Sequence, residues 1–294
     1  MRTNRRSRVA YLYLLPWLLG FALFHAFPIF SSLWYSFTNL RVTNAPRFVG
    51  LANYVQMFLH DPLFPKAMSN TLIYTMVAVP AKVGFALVIA LLLTIRTRLI
   101  GLYRTVYYLP SILGGSVVIS ILWRFLFMTE GLMNTIFGAL GAAPVRWFDP
   151  NLALFTISLL PVWQFGSSMV IFLAGLKNIP QELYEAGRID GAGRIALFRH
   201  VTIPLLSPII FFNLVMQMIN ALQEFTSPFI ITGGGPLHAT YLLGMKIWEE
   251  GFSFSRMGYA SAVSWTLMII ILTLTVVVFT TSRFWVFYED GKKA

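Results

Sequence analysis

The chain contains no cysteine. That absence removes disulfide frameworks, thiolate metal sites and a cysteine nucleophile, and leaves the compartment open. Histidine is scarce too: His25, His60, His200 and His238 fall in separate segments, and no pair has a metal-ligand spacing such as HExxH. There is no Walker A sequence, no GxSxG elbow and no tight carboxylate cluster, so neither nucleotide hydrolysis nor acyl transfer can be placed on these residues. Charge is thin as well, at 11% of 294 residues against 57% hydrophobic, with a mean hydropathy of +0.71. So few charges cannot clothe a soluble domain. The composition is that of a membrane protein.

Acidic residues number 11 and basic ones 22, a net charge of +11. The excess lies in short clusters beside apolar runs, with no basic groove and interleaved aromatics, so it reads as a topology signal and not as a nucleic-acid surface. Apolar runs of about 20 residues lie near 11–37, 68–95, 105–128, 152–176, 205–231 and 259–282. They predict an all-α polytopic protein with six transmembrane helices in a single domain, 1–294, with kinks at Pro16, Pro28, Pro80 and Pro110. The amino-terminal Arg2, Arg5, Arg6 and Arg8 imitate a secretory signal, but the uncharged stretch after them far exceeds the ~7–15 residues of a signal core. A retained first span is expected.

Placing both termini in the cytoplasm puts inside Arg2, Arg5, Arg6, Arg8, Arg96, Arg98, Arg104, Lys177, Arg188, Arg194, Arg199, Arg283, Lys292 and Lys293. Outside fall only Arg41, Arg47, Lys66, Arg146, Lys246 and Arg256, with Lys82 and Arg124 in or near the bilayer. This orientation makes 177–204 a cytoplasmic loop. Within it Pro180 suits a first helical turn, Gln181 and Glu182 sit near the positive dipole end, and Asp190, Gly191 and Gly193 break the helix before a second piece from Arg194 to Pro204. Small Ala186, Gly187 and Ala192 would let a partner approach closely. A plainer reading is an ordinary loop whose Glu185 and Arg188, spaced i, i+3, neutralise each other.

The pattern Glu185-Ala186-Gly187, three residues, Gly191, then "IPLL" from Ile203, resembles the EAA motif of inner-membrane permease subunits of ABC importers. The resemblance extends to "FVGLANYVQMF", "DPLFPKAMSNTLIYT", "YRTVYYLP", "TGGGP" and "MGYASAVSW", and is closest to the carbohydrate-uptake branch, the maltose-type and glycerol-phosphate-type permeases. One departure is Gly187, where alanine is commoner. The resemblance implies a type I importer permease (MetI-like) fold in a bacterial plasma (inner) membrane, a second homologous permease, two cytoplasmic ATPase subunits carrying ATP and Mg, and an extracytoplasmic solute-binding protein. This chain would bind no cofactor or metal of its own. Glu182, Glu185, Ala186, Gly187, Asp190 and Gly191 would form a coupling helix docked in an ATPase cleft, and Gly233, Gly234, Gly235 and Pro236 would meet the binding protein, a simple tight turn being the plainer alternative there.

Asn213, Gln217, Asn220 and Glu224 recur at helical spacing on one stripe. Facing hydrocarbon, each would lose its water partners at a cost of several kcal/mol, so the stripe faces another helix or a wet cavity. Trp163 and Gln164, with Gly166 and Ser167, and Ser111 with Gly115 offer further groups for a hydroxyl-rich solute. The resemblance places sugar-facing positions on Gln217, Ala221, Glu224, Ser111 and Gly115, although Ala221 has no polar group. Glycerol phosphate is an alternative cargo. A secondary transporter or a membrane enzyme would leave the cytoplasmic loop unexplained.

Overall fold

The computed structural model describes residues 13–95, 98–114 and 117–287. Arg2, Arg5, Arg6, Arg8, Arg96, Gly115, Lys292 and Lys293, on which parts of the reading above rest, lie outside them. The described residues are helical apart from loops and two isolated bridges, Thr38 to Phe48 and Arg41 to Asn44. The longer helices are α1 Tyr13–Ser36, α2 Leu63–Leu92, α3 Ile100–Ile112, α4 Val117–Phe127, α5 Leu132–Ala139, α6 Ala153–Trp163, α7 Gly166–Asn178, α8 Gln181–Ile189, α9 Arg194–Leu222, α10 Thr226–Thr232, α11 Leu243–Trp248 and α12 Met257–Ser282.

Among the described residues five segments are long and apolar enough to cross a bilayer: α1, α2, Val117–Ala139, α9 and α12. The pair α6 and α7, bent by 46°, makes a sixth when counted as one broken span. The chain divides into two compact units.

The first unit comprises the chain up to Phe64 together with Lys246–Met268. Asn53 donates from Nδ2 to the carbonyls of Ser36 and Thr38, both at 2.8 Å, so the carbonyls freed at the end of α1 are satisfied inside the protein. Lys246 is only 1% exposed. Its ammonium lies 2.6 Å from Asp61 and 3.2 Å from Glu250, Arg256 pairs with the other oxygen of Glu250, and the Tyr259 hydroxyl donates to Asp61 at 2.5 Å. Hydropathy gave no sign of this cluster.

The second unit, Pro65–Met245 with the segment from Ile269, holds the larger core. Val79, Val83, Ala86 and Ala90 form one buried stripe of α2 against Phe165, Met169, Phe172 and Leu173. Ala86 and Ala90 are fully buried, as expected where helices pack by close van der Waals contact in lipid. A second cluster gathers Tyr74 and Ala78 of α2 with Ile119, Trp123 and Phe127 of α4, Ile157 and Leu160 of α6, and Ile231 of α10.

Besides the bent pair α6 and α7, two further expected spans are interrupted. The run 105–128 contains two helices, α3 and α4, with Gly114 at the gap. The run 205–231 is helical only to Leu222 and resumes as α10. Pro228 explains the second break: in a continuous helix its ring would strike the carbonyl four residues earlier, that of Glu224. That carbonyl turns instead towards Gly244, where a Cβ would lie 2.7 Å from it. The restart is capped by Glu224, whose Oε1 accepts the Ser227 N–H at 3.0 Å. At its other end α9 does not stop at Pro204; it runs unbroken from Arg194, through one wide turn at Phe198–Thr202.

Candidate functional site

The break between α6 and α7 frees backbone groups, and Ser111 of α3 satisfies them. Its hydroxyl donates to the Gln164 carbonyl and accepts the Ser167 N–H, both at 3.0 Å. Gly166 makes this crossing fit: a Cβ there would lie 2.7 Å from the Tyr107 carbonyl and 2.8 Å from Ser111 Oγ. Beside this stitch lies a cavity of about 240 Å³ lined by Tyr74, Ala78, Val79, Lys82, Ser111, Gly114, Pro161, Gln164, Ser167, Gln217, Asn220, Ala221 and Glu224. Helices α2, α3, α6, α7 and α9 all contribute to it.

Gln217, Asn220, Glu224, Ser111 and Gln164 therefore share one space. Gln217 donates from Nε2 to the Ser168 hydroxyl at 3.2 Å. Ser111 lines the cavity, but its hydroxyl is already engaged at the helix break. Asn213 and Trp163 are not among the lining residues. Asn213 is 1% exposed and donates back to the Ile209 carbonyl of its own helix, while Trp163 packs on Trp123 with ring centroids 6.0 Å apart. Of the lining residues with a polar side chain, Tyr74 is the one that sequence reading missed. An isolated tyrosine in an apolar run gives no periodic signal. Lys82 is expected from the sequence as a cation in or near the bilayer. Here it shares the cavity with Glu224, outside ion-pair distance.

The second feature is the elbow built on α8. Pro180 stands just before the helix, at φ −60° and ψ 133°, one position earlier than expected. The far end closes by a Schellman motif: Gly191 N–H donates to the Arg188 carbonyl at 3.0 Å and Ala192 N–H to the Gly187 carbonyl at 2.8 Å. Gly191 has φ +82°, a conformation that a residue with a Cβ resists, so glycine is required there. Gly187 has a different function. A Cβ at this position would come within 2.5 Å of Leu197 Cδ2, the tip of a flexible side chain, so alanine fits after a small shift of that leucine.

No residue of α8 is buried, and Ile189 and Ile195 on either side of the turn are 86% and 82% exposed. Glu182, Ala186 and Asp190 are exposed with them. Glu185 and Arg188 form no ion pair among the described residues; both line a cleft of about 480 Å³ with Arg104, Lys177, Gln181 and Tyr184. The Tyr184 hydroxyl lies 2.9 Å from that of Thr202, which ties α8 to α9.

The glycine-rich bend is also a built structure. Gly233 ends α10 in the left-handed region, and Gly234 is buried with Tyr241 and Met245 so close that a Cβ would lie 3.0 and 3.2 Å from them. Thr240 holds the Gly235 carbonyl at 2.9 Å, and Asn70 of α2 holds the carbonyls of His238 and Tyr241 at 2.8 and 3.1 Å. Gly235 and Pro236 are half-buried. The exposed tip is Gly233, Leu237 and His238, the last two of which the sequence reading passed over.

A core of broken apolar helices around a small polar cavity, with an exposed elbow between two of them, has the construction of a membrane-spanning permease. Among the described residues no group of three or more His, Asp or Glu could hold a metal ion. Residues 63–287 match the family described as "Binding-protein-dependent transport system inner membrane component", and the chain belongs to that family. The "Probable ABC transporter permease protein YesP" of Bacillus subtilis (strain 168) is 43% identical over 99% of this chain and 96% of its own length. The "Sulfoquinovosyl glycerol transport system permease protein SmoG" of Agrobacterium fabrum is 34% identical over 92% of this chain and 88% of its own. In fold, the chain resembles one from a bacterial alginate ABC transporter crystallised with a periplasmic protein bound to alginate pentasaccharide, with a TM-score of 0.81, 20% identity, and 96% of each chain covered. The expected all-α permease fold and the family reading are thereby met, and such permeases are transport subunits, not enzymes.

Proposed function

We propose that this chain is one half of the translocation path of an ATP-driven importer in a bacterial inner membrane, with both termini in the cytoplasm, and that it carries a saccharide or oligosaccharide delivered by an extracytoplasmic solute-binding protein. A second homologous permease completes the path. Two cytoplasmic ATPase subunits bind ATP and Mg and receive the elbow. Support for the cargo comes from the amide and carboxylate groups of Gln164, Gln217, Asn220 and Glu224 in one cavity and from the glycoside in the name of the SmoG relative. The exposed tip at Gly233, Leu237 and His238, backed by Gly234, Gly235 and Pro236, suits contact with the binding protein.

The observation that carries the coupling role is the elbow itself. It is closed by hydrogen bonds at Gly191 and Ala192, yet among the described residues Glu185 has no ion-pair partner, and Ile189 and Ile195 are uncovered. It is also mechanically continuous with the cavity. Helix α9 has 29 residues, about 43 Å at 1.5 Å per residue, and carries Gln217 and Asn220 near the end remote from the elbow. A push on α8, passed on through Tyr184 and Thr202, becomes a displacement of the cavity wall.

The missing cysteines make the test clean. A single cysteine at Ala186, in the assembled transporter, should crosslink to an ATPase subunit, and Glu185→Ala should weaken that docking by about 2–5 kcal/mol, the loss typical when one partner of a buried ion pair is truncated. An Ala186→Cys chain that never crosslinks to an ATPase in a transporting complex overturns the assignment.

A further inference from the structure

The cavity holds two opposite charges that do not pair. Glu224 is engaged locally by the Ser227 N–H at 3.0 Å. Lys82 lines the same space, and among the described residues no carboxylate lies within 4.0 Å of its ammonium. Neutral sugar hydroxyls are well served by the amides of Gln164, Gln217 and Asn220 and by the tyrosine at 74, so a neutral cargo gives no reason for an ammonium here. An intramembrane cation is costly to keep, and such residues mark solute pathways.

We propose that Lys82 receives the carboxylate of an acidic saccharide, a sugar acid of the uronate type, while its hydroxyls meet Gln164, Gln217, Asn220 and Glu224. This inference rests on the saccharide reading above and narrows it. One ammonium suits a monoanion. A phosphate dianion would bring a second charge with no second cation among the lining residues and would face Glu224 besides. Glu224 in turn accepts hydrogen bonds donated by the hydroxyls of the sugar ring.

The test is uptake by cells carrying the complete native transporter, supplied with labelled disaccharide uronates and, for each, the carboxyl methyl ester and the carboxyl-reduced neutral sugar. The acids should enter at least about ten-fold faster than either neutral form, the ratio expected from loss of one desolvated ion pair. Lys82→Met should lower acid uptake by about ten-fold or more and move the preference towards the neutral forms, whereas Lys82→Arg should stay within about three-fold of the parent. Equal uptake of acid and ester, or an acid-to-neutral ratio unmoved by Lys82→Met with the chain present in the membrane, overturns the inference and leaves saccharide import standing. If no saccharide of either kind enters, the broader reading fails, and this one with it. The ester comparison uses the unaltered chain, so equal uptake overturns the inference even where a Lys82 variant is not inserted.

Discussion

Two of the charge clusters among the described residues are organised oppositely. Around Lys246 every charge is answered: Asp61 at 2.6 Å, Glu250 at 3.2 Å, Arg256 on the second oxygen of Glu250, and the Tyr259 hydroxyl on Asp61. Around Lys82 the cation and Glu224 share a cavity of about 240 Å³ without pairing. A desolvated charge that is fully paired acts as a lock, because breaking it strands its partner. One left facing a cavity is available to a ligand. On the cargo proposal above, the same residue types serve stability in one unit and recognition in the other.

The sharpest way to break that contrast is to remove the hub of the closed cluster. Lys246→Met leaves the Asp61 carboxylate without its counter-charge, held only by the Tyr259 hydroxyl and the Leu63 N–H, and should cost about 3–5 kcal/mol, the usual loss when one side of a buried pair is deleted. Thermal melting of the purified protein in detergent measures it. A melting temperature close to the parent's would mean that the cluster is solvated and is no lock.

Acidification probes the same cluster more gently. Burial pushes the Asp61 carboxyl up, but the hydrogen bonds from Lys246 and Tyr259 and the Lys246 charge outweigh it and hold the group below its ordinary 3.8. A depressed carboxylate contributes stability that is present above the unfolded value and is lost as pH falls through the folded one. The protein should therefore keep this contribution down to about pH 4 and lose it below, and Asp61→Asn should flatten that acid limb. A difference between the two chains that disappears already between about pH 5 and 7 would contradict the pairing.

On the open side, Glu224→Ala should cost about 0.5–2 kcal/mol, the range for a lost side-chain cap, since it releases the Ser227 N–H. Glu224→Gln keeps an acceptor and should recover most of that stability without restoring uptake. Melting and transport measured on the same two variants would separate the cap from the cargo site. If the glutamine variant transports normally, the carboxylate is a cap alone.

How much of this was legible in the sequence follows from what each feature depends on. The elbow stands out because glycines and charges interrupt an apolar chain, and the stripe Gln217, Asn220 and Glu224 because helical spacing repeats along it. Asn213 obeys the same spacing yet turns back onto Ile209, a choice made by packing that periodicity cannot register. The end of α9 at Leu222 was hidden because hydropathy continues across it, although Pro228 held the clue. The Lys246 cluster was invisible for a different reason: Tyr259 and Asp61 stand 198 positions apart, and only the fold brings them together. Lys246 and Arg256 had been read simply as loop charges.

The smallest stability effect belongs to Lys82, and it is the strictest test of the contrast. Its ammonium has no ion-pair partner among the described residues, so Lys82→Met strands no carboxylate, and Glu224 keeps its bond to Ser227. The methylene stem is replaced by a side chain of similar reach, and the cost of holding an unpaired charge away from bulk water disappears. Melting should therefore move by less than about 0.5 kcal/mol, the size of an ordinary substitution away from any lock. A loss of several kcal/mol would show that Lys82 is anchored as Lys246 is, and the division between a closed and an open cluster would fail.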